Sequence, residues 1–143
     1  IDHSGTSVYF EEGFVTYSNE AKMKHLNIHP ELLEKHGAVS REVAEAMAKG
    51  AASAADADFA VSITGIAGPS GGTPEKPVGL TYIGVAHPGG VEVRKYTFSD
   101  DRNMNRRRSA YAAMNMLYRV VKERAELVDP LPPKELKEID ATR

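Results

Sequence analysis

The stretch Asp58-Phe-Ala-Val-Ser-Ile-Thr-Gly-Ile-Ala-Gly-Pro-Ser-Gly-Gly-Thr-Pro-Glu-Lys-Pro-Val-Gly79 decides how the chain is read. Asp58–Ile63 is a near-continuous apolar strand, as a buried place in a sheet covered on both sides requires. From Thr64 to Gly79 the composition changes, with five of the twelve glycines and three of the eight prolines falling there. Glycine reaches backbone conformations closed to other residues, and proline fixes φ and removes a donor. Such a segment is a shaped loop; flexible linkers are Gly/Ser-rich without the threonine, prolines and charged pair found here. Loops leaving the carboxyl ends of strands are where open α/β sheets bind ligands, and a long surface turn is the alternative reading.

Outward from this loop, Val78–Ala86 and Val91–Phe98 flank His87-Pro-Gly-Gly90, a hairpin signal. Upstream, Ser40 caps a helix on which Val43, Ala44, Met47, Ala48, Ala51 and Ala55 share one face, small enough for close packing on a sheet. Pro30 suits the first position of a short helix through Leu32 and Leu33 that Gly37 ends. Ser18 caps another, with Glu20 in its first turn and Lys22 one turn inside. Ser7–Phe10 and Gly13–Tyr17, rich in Val, Tyr, Phe and Thr, are expected as strands. The last helix is predicted from Asp100 or Asp101 to about Arg124, with Ala110, Met114, Leu117 and Val121 as its inner stripe. Asp129-Pro-Leu-Pro-Pro133 then breaks helix, and Lys134–Arg143 is a charged tail. Strands interleaved with helices, plus one hairpin, predict an α/β sandwich with a mixed sheet.

The global composition excludes several classes. At 143 residues with 41% apolar and 27% charged content, this is one ordinary globular domain. A net charge of −2 lacks the footprint of a nucleic-acid or anionic-membrane binder. With no cysteine there is no disulfide framework, thiolate zinc site or cysteine nucleophile. No apolar run approaches a membrane span, and Ile1-Asp-His-Ser is no signal peptide, so a cytoplasmic location is expected.

Among chemistry-bearing residues, His3, His25, His29, His36 and His87 show no metal-ligand spacing. The glycine-rich loop is neither a Walker A sequence nor a Rossmann fingerprint, and no Gly-x-Ser-x-Gly elbow occurs. Arg102, Arg106, Arg107 and Arg108 form a run that is ordinarily a solvated helix face. Arg102 differs in sitting where the helix begins, where free N–H groups and positive potential favour an anion. The other candidate is Gly13-Phe-Val-Thr-Tyr-Ser-Asn-Glu-Ala-Lys22, which places Tyr17 at a strand end and Lys22 one helical turn later. Lysine and tyrosine there are usually solvated rim residues. The functional reading needs Lys22 neutral and basic, a state favoured by partial burial and a nearby cation such as Arg102.

The chain resembles the CinA carboxy-terminal domain family, which includes bacterial nicotinamide mononucleotide deamidases. The resemblance rests on Gly5-Thr-Ser-Val-Tyr-Phe10, Phe14-Val-Thr-Tyr-Ser-Asn-Glu-Ala-Lys22, His36-Gly-Ala-Val-Ser40, Ser62-Ile-Thr-Gly-Ile-Ala-Gly-Pro69, Gly71-Gly-Thr-Pro-Glu-Lys-Pro-Val-Gly79 and Phe98-Ser-Asp-Asp-Arg102. These run in order from Gly5 to Arg102, within a resemblance that spans the chain to about Glu123. The resemblance implies a three-layer α/β/α sandwich and a serine amidohydrolase that converts nicotinamide mononucleotide to nicotinate mononucleotide and ammonia. It carries the nucleophile onto Ser7, with Thr6 in the preceding small-hydroxyl position, and the family's tyrosine and lysine onto Tyr17 and Lys22. Lys22 would take the Ser7 proton and Tyr17 would orient the pair or relay the proton. Thr64, the loop glycines Gly65, Gly68, Gly71 and Gly72, and Arg102 would hold ribose and phosphate. No metal and no cofactor are implied.

Family members carry an Ala-Glu-Ser-Cys-Thr-Gly-Gly segment and a helix upstream of the part matched here. The expectation is therefore an amidohydrolase domain over 1–128 without the family's first strand and helix, followed by the tail 129–143. A homodimer or higher homo-oligomer is expected too, because an exposed sheet edge needs cover. The alternative is a non-catalytic nucleotide-binding or regulatory module of the same family.

Overall fold

The computed structural model describes residues 4–125. A 3-10 turn, Thr6–Val8, precedes helices α1 (Asn19–Leu26), α2 (Pro30–His36) and α3 (Arg41–Ala54). Strands β1 (Ala60–Gly65), β2 (Leu80–His87) and β3 (Gly90–Thr97) follow, and helix α4 (Arg102–Ala125) closes the described chain. The expected tail at 129–143 lies outside the described residues.

The helix starts are where their capping residues put them. Ser18 Oγ accepts from Ala21 N at 3.0 Å, and Ser40 Oγ accepts from Val43 N at 3.2 Å while donating to Gly37 O at 2.9 Å. The bonds from Ala21 N and Val43 N each satisfy an amide that the first helical turn leaves without a partner. Pro30 opens α2, and Gly37 ends it with φ 73°.

The sheet order is β1-β2-β3, and both pairings are antiparallel. The α/β sandwich stands; a parallel pairing, which a mixed sheet needs, does not occur among the described residues. Both connections reverse the chain, one through Pro88 and Gly89 and the other through the loop 66–79. Register assigns the faces. Ser62 opposes Gly84, and both meet α3: Ser62 Oγ donates to Ala44 O at 2.6 Å, and a Cβ on Gly84 would stand 2.8 Å from the same carbonyl. On the opposite face Ile83 and Val85 join Ala113, Met116 and Val120 of α4 in one core. Leu26, Ile28, Leu33, Val43 and Met47 form a second core among α1, α2 and α3. Three layers result, with the sheet in the middle.

Two expectations are corrected. Ser7–Phe10 and Gly13–Tyr17 are not strands: the first is mostly the 3-10 turn and the second has no regular structure. A strand needs a neighbour's ladder, and neither piece has one among the described residues. Their side chains stay largely in solvent, Val15 at 94% and Tyr9 at 86% exposure. The inner stripe of α4 also differs from the predicted one. Asn105, Ser109, Ala113, Met116 and Val120 are buried, Leu117 is half-buried, and Ala110, Met114 and Val121 are exposed. The stripe is turned by about one residue because Asn105 and Ser109 occupy its inner positions, and apolar periodicity cannot register polar residues.

Candidate functional site

A cavity of about 1220 Å³ lies along the edge of β1 that has no neighbouring strand among the described residues. Its walls come from the segment 8–17, the inner sides of α1 and α3, β1 itself, and Met114, Leu117 and Val121 of α4. Lys22, Tyr17, Thr64 and Gly65 all line it. Four of the residues singled out from sequence are thus brought to one hollow.

Lys22 is its most unusual member. Ser18 begins α1 so that Lys22 falls in the first turn, with its amide donating to Ser18 O at 3.1 Å. The side chain folds inward and is 7% exposed. Nζ donates to Thr16 O at 2.9 Å and makes a long contact to Ser18 O at 3.5 Å. No carboxylate pairs with it among the described residues. Burial without a counter-charge holds its pKa below the ordinary lysine value. The main chain of Thr16–Ser18 thus positions an amine biased toward its neutral form.

The other residues are arranged less simply. Ser7 sits in the 3-10 turn that follows Gly5, whose φ of 85° suits glycine. Ser7 is exposed and does not line the cavity, although its neighbour Val8 does. Thr6 is half-buried. Tyr17 is 91% exposed. Thr64 is buried on the α3 face, where its hydroxyl donates to Ala38 O at 2.7 Å. Gly65 faces α4: a Cβ there would stand 2.7 Å from Thr81 Oγ1 and 2.9 Å from Leu80 O, so the position admits no side chain without movement.

The glycine-rich loop is held along its length. Its base closes through Ile66 N to Leu80 O and Gly79 N to Ile66 O, both 2.8 Å. Lys76 Nζ donates to His36 O at 2.6 Å, tying the loop to the end of α2. Gly68 and Gly71 have φ of 84° and 90°, and a Cβ on Gly72 would lie 2.7 Å from Val78 N. Arg102 donates to Gly68 O at 2.9 Å, and Asn105 Nδ2 donates to Ala67 O at 3.0 Å. One Arg102 donor is therefore spent on the loop itself, and Gly68, Gly71, Gly72 and Arg102 stand apart from the cavity lining.

Sequence reasoning missed Asn105, which is 1% exposed and also binds Ser99. Its only sequence signal is the spacing of four to Ser109 and eight to Ala113, both on the inner stripe. Among the described residues no histidine or carboxylate cluster could hold a metal ion, and no helix is long and apolar enough to cross a membrane.

Comparison with known proteins places these features in a family. A family model described as the CinA C-terminal domain matches residues 1–121. A CinA-like protein of Geobacter sp. strain M21 is 53% identical over 114 residues, covering 80% of this chain and 28% of the relative. A putative competence-damage inducible protein of Moorella thermoacetica is 49% identical over 122 residues, covering 85% of this chain and 30% of that protein. The chain thus spans under a third of the length of these curated relatives. Among solved structures, the competence/damage inducible protein CihA from Agrobacterium tumefaciens superposes with a TM-score of 0.80 at 41% identity, over 82% of this chain and 72% of that one. A CinA superfamily protein from Escherichia coli gives a TM-score of 0.80 at 33% identity, over 83% and 69% of the two chains.

Proposed function

Since the chain belongs to the CinA C-terminal domain family, we propose that it is the catalytic part of a serine amidohydrolase that converts nicotinamide mononucleotide to nicotinate mononucleotide and ammonia. The observation that carries this reading is Lys22: buried, bonded to carbonyls, in no ion pair with a carboxylate among the described residues, and set in the cavity that Tyr17 and Thr64 also line. An amine whose charged form burial disfavours is suited to act as a general base.

In the proposed reaction Ser7 Oγ attacks the carboxamide carbon and its proton passes to Lys22 Nζ. The tetrahedral intermediate collapses, the C–N bond breaks, and the proton leaves with ammonia, with Tyr17 relaying it. Water then attacks the acyl-enzyme ester; one of its protons passes through Lys22 to Ser7 Oγ as the ester C–O bond breaks, and the other is released as the product acid ionises to the carboxylate. Backbone N–H groups of the glycine-rich loop would stabilise the oxyanion. Ser7 must close on Lys22 when substrate binds, and catalytic hydrogen bonds commonly tighten only in the complex. The position of Ser7 outside the cavity lining favours the second reading, a nucleotide-binding module without turnover.

Ammonia release from nicotinamide mononucleotide by the intact protein separates the two. Turnover that Ser7→Ala lowers by more than about tenfold in kcat, a barrier change above roughly 1.4 kcal/mol, supports the amidohydrolase. Binding without ammonia release supports the module. Lys22→Arg fixes a positive charge that cannot deprotonate, so it should remove turnover and spare binding.

A further inference from the structure

A second cavity, of about 370 Å³, opens on the α4 face of the sheet between the end of β1, Thr81 of β2 and the first turns of α4. It shares Ile63 and Gly65 with the larger one. Two polar side chains in its wall are uncommitted. Ser109 is 8% exposed, yet its hydroxyl has no hydrogen-bond partner among the described residues. A helical serine ordinarily returns its hydroxyl to the carbonyl one turn earlier. No side-chain polar atom among the described residues is both sealed from solvent and unpaired, so the Ser109 hydroxyl opens on the cavity. Arg106, three residues before it, lines the same wall with a guanidinium that has neither an ion pair nor a hydrogen bond among the described residues.

The surroundings select what these groups can take. No carboxylate lines the cavity, so the charge of Arg106 is unopposed there. Asn105, which lines the same cavity, is fully used, with its amide holding Ala67 and Ser99, so the loop wall is fixed. Ile63, Ala67 and Ala110 supply an apolar side, and Gly65 brings bare main chain close against Thr81 at the end of β1. A guanidinium beside an unpaired hydroxyl is a donor set for an oxyanion, and arginine favours phosphate because its donors match two oxygens at once.

We propose that this cavity seats the phosphate of a small phosphomonoester, with Arg106 and Ser109 as its donors and the ligand body crossing Gly65 toward Lys22. The choice of phosphate ester rests on the amidohydrolase reading; the oxyanion seat itself rests on Arg106 and Ser109. Arg102, expected from sequence to bind the anion, has one of its donors engaged in holding Gly68.

The test is a set of binding titrations on the intact protein with nicotinamide mononucleotide, the corresponding riboside lacking phosphate, and inorganic phosphate. Wild type should bind the mononucleotide at least about tenfold more tightly than the riboside, the scale of one good charge-assisted contact. Arg106→Gln and Ser109→Ala should each reduce that ratio several-fold, and the neighbouring Arg107→Gln should leave it unchanged. Inorganic phosphate should perturb the Ser109 amide resonance in wild type and not in Arg106→Gln. Equal affinity for mononucleotide and riboside, or an undiminished ratio in Arg106→Gln, overturns the proposal. Arg106 is exposed and an alanine at 109 suits a helix, so unchanged unfolding midpoints keep these outcomes interpretable. Phosphate binding through Arg106 without ammonia release would leave the subsite standing and remove the amidohydrolase. Ammonia release with a ratio indifferent to Arg106 would do the reverse.

Discussion

Replacing Asn105 with alanine tests whether α4 holds the glycine-rich loop through one buried amide. The side chain makes four contacts: Oδ1 accepts from Ser99 N at 2.9 Å and Ser99 Oγ at 3.2 Å, and Nδ2 donates to Ala67 O at 3.0 Å and Ser99 O at 2.8 Å. Truncation leaves the Ser99 amide and two carbonyls without these partners. A net hydrogen bond contributes about 0.5–1.5 kcal/mol, and each buried group left unpaired costs about 1–3 kcal/mol. Loop groups turn partly toward water, which places the expected loss near the low end of the sum, about 2–4 kcal/mol. Against a total stability of roughly 5–15 kcal/mol that is a large fraction. Urea unfolding measures the loss directly, and hydrogen exchange at Ala67 and Gly68 should accelerate beyond what the global change explains. Arg102→Ala is the control: Arg102 is exposed and gives one bond, to Gly68 O, so it should cost below about 1 kcal/mol. If Asn105→Ala cost less than about 1 kcal/mol, or less than Arg102→Ala, the loop would be held by something else.

Lys22→Met probes the buried ammonium through pH. The native pKa lies below the ordinary value of 10.5, so between the two values the unfolded chain binds more protons and the wild type gains stability as pH rises. The stability difference between wild type and Lys22→Met, from urea titrations at neutral pH and just below that value, should therefore drift toward the wild type; no drift would mean that Lys22 is not desolvated. Gly84→Ala should cost about 1–3 kcal/mol, because its Cβ would stand 2.7 Å from Ser62 Oγ and 2.8 Å from Ala44 O, and an unchanged melting temperature would contradict the close seating of α3 on the sheet. Ser40→Ala should cost about 1–2 kcal/mol in chemical denaturation, since it loses the cap to Val43 N and the bond to Gly37 O together; a Ser40→Asp variant that restored no stability would argue against the cap.

What was legible in the sequence is what short-range chemistry decides. Ser18, Ser40, Pro30 and Gly37 act within one turn of themselves, and the helices begin or end beside them. The hairpin at His87–Gly90 depends on a two-residue reversal that its own residues specify. Gly13–Tyr17 shows the limit, because strand composition states a preference that only a neighbouring ladder can realise. Asn105 and Ser109 show another: a polar residue on a helix is read outward until the tertiary contact that turns it inward is known. Lys22 was legible as a position and Arg102 as a helix start. The bonds to Thr16 O and Gly68 O that define their surroundings bring chain segments together at distances no local pattern encodes.

The uneven connections of the sheet set an order of assembly. β2 and β3 meet across Pro88 and Gly89 alone, whereas β1 reaches β2 only after the chain has rounded 66–79. Closing the longer loop loses more chain entropy, and an isolated hairpin forms within roughly 1–10 microseconds. Loop closure alone therefore predicts that the β2–β3 hairpin forms first and that β1 docks later, across the longer loop. On this account truncating Val85 or Val91 slows folding, whereas truncating Ile63 chiefly hastens unfolding. By the same expectation, the edge where the candidate site lies is the last part of the sheet to form and the first to open.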